Sequence, residues 1–229
     1  MNLPISDRLL ACAAFVNPGD RVADIGCDHG YLGIHLLRRG IAGSVLAADL
    51  RQGPLQSARE NSARYGVADK MTFYLCDGVQ GIPRDFDTLV CAGMGAETMI
   101  SILEAGPWLR DPRYRLILQC QIKTHLLRRY LSEQGYRIRE EQVLRDGRFL
   151  YTVMEVSWSP EAQSLTPGQW YIPPVMAEIP DPVFLEYFRW VRKELHKIVT
   201  SRGDTAPRWM QQADRELADL AQSLEGEKP

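Results

Sequence analysis

Residues 22–33, Val-Ala-Asp-Ile-Gly-Cys-Asp-His-Gly-Tyr-Leu-Gly, gather two carboxylates, an imidazole, a thiol and a phenol around three glycines. A short β-type run ends at Asp24-Ile25-Gly26, a glycine-containing turn follows, and an apolar helical pattern starts near Tyr31. A strand–turn–helix unit of this kind opens a nucleotide-type cofactor site in an open α/β sheet. The charge sets this turn apart. Asp24, Asp28 and His29 stand where a dinucleotide-binding turn offers bare backbone to a pyrophosphate, and Gly26, Gly30 and Gly33 are not spaced as GxGxxG. Carboxylates repel phosphate and suit a cationic cofactor, and S-adenosylmethionine carries both a sulfonium and an ammonium.

The elements that must position these groups recur along the chain. Strands are expected over 21–25, 44–48, 71–76, 86–91 and 114–118, alternating with helices over 31–39, 54–65, 97–103 and 124–134, after an amphipathic helix over 3–16. Two further strands, 136–144 and 149–158, flank the turn Asp146-Gly147, a hairpin signal. Five β/α alternations followed by an antiparallel hairpin predict an α/β fold of the class I methyltransferase, Rossmann-like type, a doubly wound sheet with a terminal antiparallel hairpin. A dehydrogenase would continue with parallel crossovers. In such sheets the ligand lies across the carboxyl ends of the strands. The residues expected there are Asp24, Gly26, Cys27, Asp28 and His29, then Asp49, Asp77-Gly78, Ala92 to Gly95, and Gln119. Asp49 is placed to hold a ribose diol and Asp77 to accept from an adenine amino group.

Residues 1–158 are therefore expected to form a cofactor-binding domain and 159–182, rich in proline, a surface linker. In 183–229 Phe184, Phe188, Val191, Leu195 and Ile198 repeat at spacings of four and three, and Ala213, Leu217, Leu220 and Leu224 repeat the seam after a break at 203–207. That pattern predicts an antiparallel helical hairpin or short coiled coil, docked on the main domain, on itself or on a second subunit.

Composition narrows the partners. The chain has 229 residues, 45% hydrophobic and 24% charged, with a formal charge of −2, so bulk charge does not advertise a nucleic-acid binder. No apolar run reaches the roughly 20 residues of a membrane span, and the first residues lack the basic and apolar regions of a signal peptide, so a cytoplasmic protein without a membrane partner is expected. Five cysteines (12, 27, 76, 91 and 120) without a CxxC pair fit a reducing compartment. Cys27, Cys76, Cys91 and Cys120 fall near strand ends, yet they are also small pocket-floor residues without paired-ligand spacing, and no metal is expected.

Each site residue has a plainer reading. Asp28 can cap the following helix, Asp49 and Asp77 can be ordinary turn residues, and His29 can be a hydrogen-bonded structural histidine. Arg189, Arg192, Lys193 and Lys197 can be a solvated helix face.

Several segments together resemble one family, the bacterial tRNA adenine-N1 methyltransferases that act at position 22. They are residues 22–32, the Gly53-Pro54 after Asp49, Cys76-Asp77-Gly78, Ala92-Gly93-Met94-Gly95 and Leu116-Ile117-Leu118-Gln119. The chain departs from the family pattern at Gly30 and Gly33, at Ala96, and at Cys120-Gln121, where proline and asparagine are usual. The resemblance implies methyl transfer from S-adenosyl-L-methionine to N1 of an adenine in tRNA. Asp24, Gly26, Cys27, Asp28, Asp49, Asp77, Gly78, Ala92 and Gly93 would then hold the cofactor, and Asp28, His29 and Tyr31 would act catalytically beside the base. Phosphate contacts would come from Lys123, Arg128, Arg129 and the basic face of the first C-terminal helix. The tail would clamp RNA, or else dimerise, leaving monomer and homodimer both open. The alternatives are a non-catalytic S-adenosylmethionine-binding module and a methyltransferase acting on another RNA or a small molecule; the acidic turn argues against an NAD-dependent dehydrogenase.

Overall fold

The computed structural model describes residues 3–159, 161, 164–178 and 180–226. Among them seven strands form one sheet: β1 (Arg21–Ile25), β2 (Ser44–Asp49), β3 (Met71–Leu75), β4 (Thr88–Met94), β5 (Arg115–Cys120), β6 (Tyr136–Asp146) and β7 (Phe149–Trp158). The spatial order is β3-β2-β1-β4-β5-β7-β6. The first five pair in parallel, and β7 and β6 close the sheet as an antiparallel hairpin. The expected α/β order is thus present. The strand order reverses between β1 and β4, which opens a crevice at their carboxyl ends.

Central strands are buried on both faces because helices cover both. Ala23, Ile25, Leu116 and Leu118 pack on one side against α4 (Ala96–Ala105) and α5 (Thr124–Glu133). Val22, Val45 and Ile117 pack on the other against α1 (Asp7–Ala14), α2 (Tyr31–Arg38) and α3 (Gln52–Arg64). The period of two along a strand sends alternate residues to the two cores, and it brings Asp24, the neighbour of Ala23 and Ile25, into the interior at 4% exposure.

The proline-rich stretch differs from a surface linker. Its described residues form two short helices, α6 (Pro167–Tyr171) and α7 (Pro174–Ala177), and Pro182 opens α8 (Pro182–Arg202). Three of the prolines occupy the first helical position, where a missing N–H costs nothing and the fixed φ suits the helix. Thr166 and Gln169 add a capping box to α6. Pro160 lies outside the described residues, as do 1–2, 162–163, 179 and 227–229. The chain then turns through Gly203–Thr205 into α9 (Arg208–Gly226), and His196 of α8 meets Asp214 of α9 at 3.0 Å. Phe184, Phe188, Val191, Leu195, Ala213 and Leu217 bury the expected seam, while Ile198 stays 40% exposed. Val143 and Leu150 of the β6–β7 hairpin pack into the same cluster, so the helical pair docks on the sheet's last strands.

One buried cation fastens this arrangement. Arg128 of α5 is enclosed with Glu141 of β6, donating from Nη2 at 2.6 Å and from Nε at 3.0 Å. Its Nη1 donates to the backbone carbonyls of Trp170 (3.0 Å) and Tyr171 (2.7 Å) at the end of α6, and Tyr187 of α8 also bonds to it. Arg128 is therefore unavailable as a phosphate contact, correcting the sequence expectation. Arg129, beside it, pairs with Glu133 and lies over the Trp170 ring at 5.0 Å.

Removing one partner of such a pair leaves an uncompensated buried charge. Arg128→Ala or Glu141→Ala should cost about 3–5 kcal/mol of unfolding free energy by urea denaturation. The double replacement Arg128→Met with Glu141→Leu should cost clearly less than either single change.

Candidate active site

The crevice at the switch point is a cavity of about 450 Å³, within the usual size for a small-molecule site. It is built from the ends of four strands. Asp24, Gly26, Cys27 and Asp28 follow β1; Asp49 ends β2; Cys76, Asp77 and Gly78 follow β3; Ala92, Gly93 and Met94 end β4. Every residue expected to hold a cofactor therefore lines one cavity.

Backbone bonds fix the first turn on β2. Gly26 and Cys27 N–H both donate to the Ala48 carbonyl, at 2.8 and 2.9 Å. Asp28 adopts φ +48, a left-handed conformation uncommon for a residue with a side chain, and its N–H donates to Asp49 Oδ2 at 3.1 Å. Arg51 N–H donates to Asp49 Oδ1 at 2.9 Å. Both Asp49 oxygens are thus oriented by amides, leaving further lone pairs for a ligand. The left-handed Asp28 also settles its capping role: α2 has Gly30 at its N-cap, with no side-chain cap bond.

His29 and Tyr31, expected beside the base, stand next to the cavity. His29 is half exposed, with Nε2 3.7 Å from Asp28 Oδ2, and its ring centroid is 5.8 Å from that of Tyr31. Neither residue lines the cavity. The cause is local. The His29 carbonyl accepts from Asn61 Nδ2 at 3.0 Å, and left-handed Gly30 (φ +73), pressed against Ala58, turns the chain into α2.

The β4 side carries a β-bulge. Pairing with β5 shifts register between Ala92 and Met94, and Gly93 at φ +84 occupies the shift. Such a bulge re-aims the strand end. Gln119 of β5, wholly buried, secures it: its Oε1 accepts from Gly93 N–H at 3.1 Å and from Arg8 Nη1 at 3.0 Å. A side chain at position 93 would lie 2.7 Å from that Arg8 nitrogen. Arg8 also pairs with Asp146 at the β6–β7 turn, at 3.8 Å. Sequence reasoning missed Arg8, along with Thr98 and Ile102 from α4, which complete the wall.

A family model for a methyltransferase domain matches residues 5–154. This chain belongs to the methyltransferase domain family. Over its whole length the chain is similar to the tRNA (adenine(22)-N(1))-methyltransferase of Bacillus subtilis, 27% identical across 97% of this chain and 95% of that one. The crystal structure of the B. subtilis tRNA methyltransferase TrmK superposes with a TM-score of 0.80 at 27% identity, covering 98% of this chain and 99% of that one. The Streptococcus pneumoniae protein Sp1610 in complex with S-adenosyl-L-methionine gives 0.82 at 27% identity, covering 94% and 99%. The match extends beyond the methyltransferase domain to the C-terminal helices.

Within this methyltransferase cleft, Asp24 is electrostatically exceptional. Burial pushes its carboxyl up to about 7, the Gly33 N–H opposes that rise, and nearby Asp49 adds to it. Its Oδ2 has no hydrogen-bond partner among the described residues. The cysteines nearby are buried thiols whose ionisation is pushed up by the same desolvation. Among the described residues no group of three His, Cys, Asp or Glu side chains is placed to hold a metal ion.

The folded chain keeps the Asp24 proton to a higher pH than the unfolded chain does. Its contribution to stability is therefore lost as pH rises from 3.8 to about 7. Asp24→Asn should flatten that part of the stability–pH curve and raise the melting temperature of the ligand-free protein at pH 8, as read by calorimetry.

Proposed function

We propose that this chain transfers a methyl group from S-adenosyl-L-methionine to N1 of adenine 22 in tRNA. The observation that carries the reading is the acidic strand-end cleft inside a chain that matches the B. subtilis enzyme from end to end, C-terminal helices included.

The cleft fits the cofactor on its own chemistry. An orphaned, buried carboxylate oxygen at Asp24 is an acceptor waiting for a donor, and an ammonium both satisfies it and favours its ionised form. Asp49, oriented by two amides, suits a ribose diol, and Asp77 suits an adenine amino group. Gly26 keeps the floor open, because a side chain there would meet Met94 Cε at 2.2 Å. A pyrophosphate would face Asp24, Asp28, Asp49 and Asp77 together, which disfavours a dinucleotide.

When bound, S-adenosyl-L-methionine supplies an electrophilic methyl group. The chain's own task is orientation and charge. N1 of adenine has an in-plane lone pair and no proton to lose, so no general base is required and positioning carries the rate. Asp28, which lines the cleft yet stays solvent-accessible, is placed to stabilise the positive charge that develops on the methylated base. Arg8 and Gln119 act as positioning residues, holding the Gly93 bulge against the cleft. N1 lies on the Watson–Crick edge, so the target adenine must be unpaired or displaced.

We assign residues 1–158 to cofactor binding and 183–229 to contact with RNA, with 159–182, which includes α6 and α7, between them. Arg189, Arg192 and Lys193 of α8 and Arg215 of α9 border one shallow groove and supply phosphate contacts. Because α8 and α9 bury their seam against each other and the hairpin, a monomer is favoured over a dimer through these helices. Among the described residues no helix is long and apolar enough to cross a membrane, in keeping with a cytoplasmic enzyme.

Incubation with unmodified tRNA and S-adenosyl-L-methionine should yield N1-methyladenosine by mass spectrometry. Absence of product on every tRNA containing the target adenosine would refute the assignment. By calorimetry, cofactor affinity should rise with pH through about 7 as Asp24 ionises. Asp49→Ala should weaken the cofactor by about 10–100-fold, the worth of hydrogen bonds to a charged group. His29→Ala, a change outside the cavity wall, should leave its affinity within about twofold, as expected for an exposed group.

A further inference from the structure

A second cavity, of about 290 Å³, opens on the far side of the loop that follows β5. Gln121, Ile122 and Lys123 form one wall, Tyr151 of β7 another, and Tyr187 and Trp190 of α8 the third. The dividing loop is zipped to the end of β4: Gln121 N–H donates to the Met94 carbonyl at 2.8 Å, and Ala96 N–H to the Ile122 carbonyl at 3.2 Å. One ridge therefore separates this cavity from the cofactor cleft, whose wall includes Met94. The ridge is held in an unusual shape, with Lys123 at φ +59 and its Nζ on Glu97 at 2.6 Å.

The cavity is aromatic and apolar but unfilled by the chain itself. Trp190 is 54% and Ile122 61% exposed, and the Tyr187 and Trp190 rings are 5.9 Å apart. Its size matches a single flat solute rather than a helix or strand. Gln121 and Thr152 add hydrogen-bonding groups to its wall. Its wall carries Glu194 of α8 as well as Lys123, and Lys197, seven residues beyond Trp190, lies on the same side of α8 as that ring. A ligand stacked on Trp190 therefore meets cations suited to phosphate and one carboxylate.

We infer that this cavity receives an unpaired base adjacent to the target adenine, stacked on Trp190 while the target enters the cofactor cleft across the Gln121–Lys123 ridge. The inference rests on the tRNA methyltransferase reading above. Base stacking on an aromatic side chain, with phosphates beside basic residues, is how single strands are held without reading sequence. Seating a neighbouring base there keeps the strand splayed and the Watson–Crick edge of the target free.

The test uses the full chain and unmodified tRNA, in one transcript with 2-aminopurine on the 3′ side of the target adenine and in a second on the 5′ side. Wild type should quench 2-aminopurine emission in one of the two transcripts, and Trp190→Ala should abolish that quench. Trp190→Ala should also raise the KM for tRNA by about tenfold, a typical loss of one stacked base. The kcat, the S-adenosyl-L-methionine affinity and the melting temperature should stay near wild type. Trp190→Phe should recover most of the KM. An unchanged KM in Trp190→Ala, or no quench in either transcript with wild type, overturns the inference while wild-type methylation leaves the parent reading standing. A concentration-dependent dimer that Trp190→Ala disperses in sedimentation also overturns it, by making the cavity a contact between copies. A wild-type protein that methylates no tRNA removes the parent reading itself, and this inference with it.

Discussion

The guanidinium of Arg128 is the point on which the two halves of the molecule depend. It leaves water completely, and a charge does so only when its donors are met. Here they are met from four directions: a carboxylate on β6, two carbonyls ending α6, the Thr152 hydroxyl of β7 at 3.5 Å, and Tyr187 on α8. The orientation of the C-terminal helices on the sheet is therefore fixed by hydrogen-bond geometry as well as by the apolar cluster around Phe188 and Leu217. Apolar packing alone tolerates sliding, whereas a five-donor fork does not.

Asp24 is the opposite case. It is just as removed from water, but one oxygen is left without a partner, and Asp49 nearby makes its charge more costly. The sheet holds this unfavourable carboxylate in place because its strand neighbours Ala23 and Ile25 are locked into a core. A site that stores desolvation in this way recovers it when a cation arrives, so affinity is built in before the ligand is present. The two buried groups thus differ: one has every donor met and ties the elements together, and the other keeps an oxygen open at the cavity.

Much of this was legible in the sequence. Strand-end carboxylates at 24, 49 and 77 were readable because apolar runs end on them, and in a parallel sheet such ends converge. The terminal hairpin was readable from Asp146-Gly147 between alternating runs. What escaped has identifiable causes. Arg8 reaches Gln119 across 111 residues of sequence, and nothing on a short amphipathic helix announces which of its polar residues will turn inward. The prolines after residue 160 read as linker because proline breaks helices in their interiors, yet at the first helical position it starts them. His29 and Tyr31 were placed beside the base by the family resemblance, and the wall of the cofactor cavity includes Asp28 but neither of them. Arg128 and Lys193 look alike as letters; the distant partners Glu141, Trp170, Tyr171 and Tyr187 bury the first.

The bulge at Gly93 links these themes to substrate choice. Gly93, Gln119 and Arg8 form one chain of hydrogen bonds, and the ion pair of Arg8 with Asp146 connects it to the β6–β7 hairpin. That same hairpin carries α8, through Glu141 on β6 by way of Arg128 and Tyr187, and through the ion pair of Arg145 with Glu186. The edge of the cofactor cleft and the base of the helical pair are therefore mounted on a common element. A change in how α8 sits would be transmitted to the bulge through packed side chains and hydrogen bonds rather than through a flexible tether. A cleft selective for a small metabolite has no use for such a mount, because its specificity is complete within its own walls. A cleft that must accept one base from a large folded partner does, since the distance between the cleft and the surface holding the rest of that partner decides which base arrives.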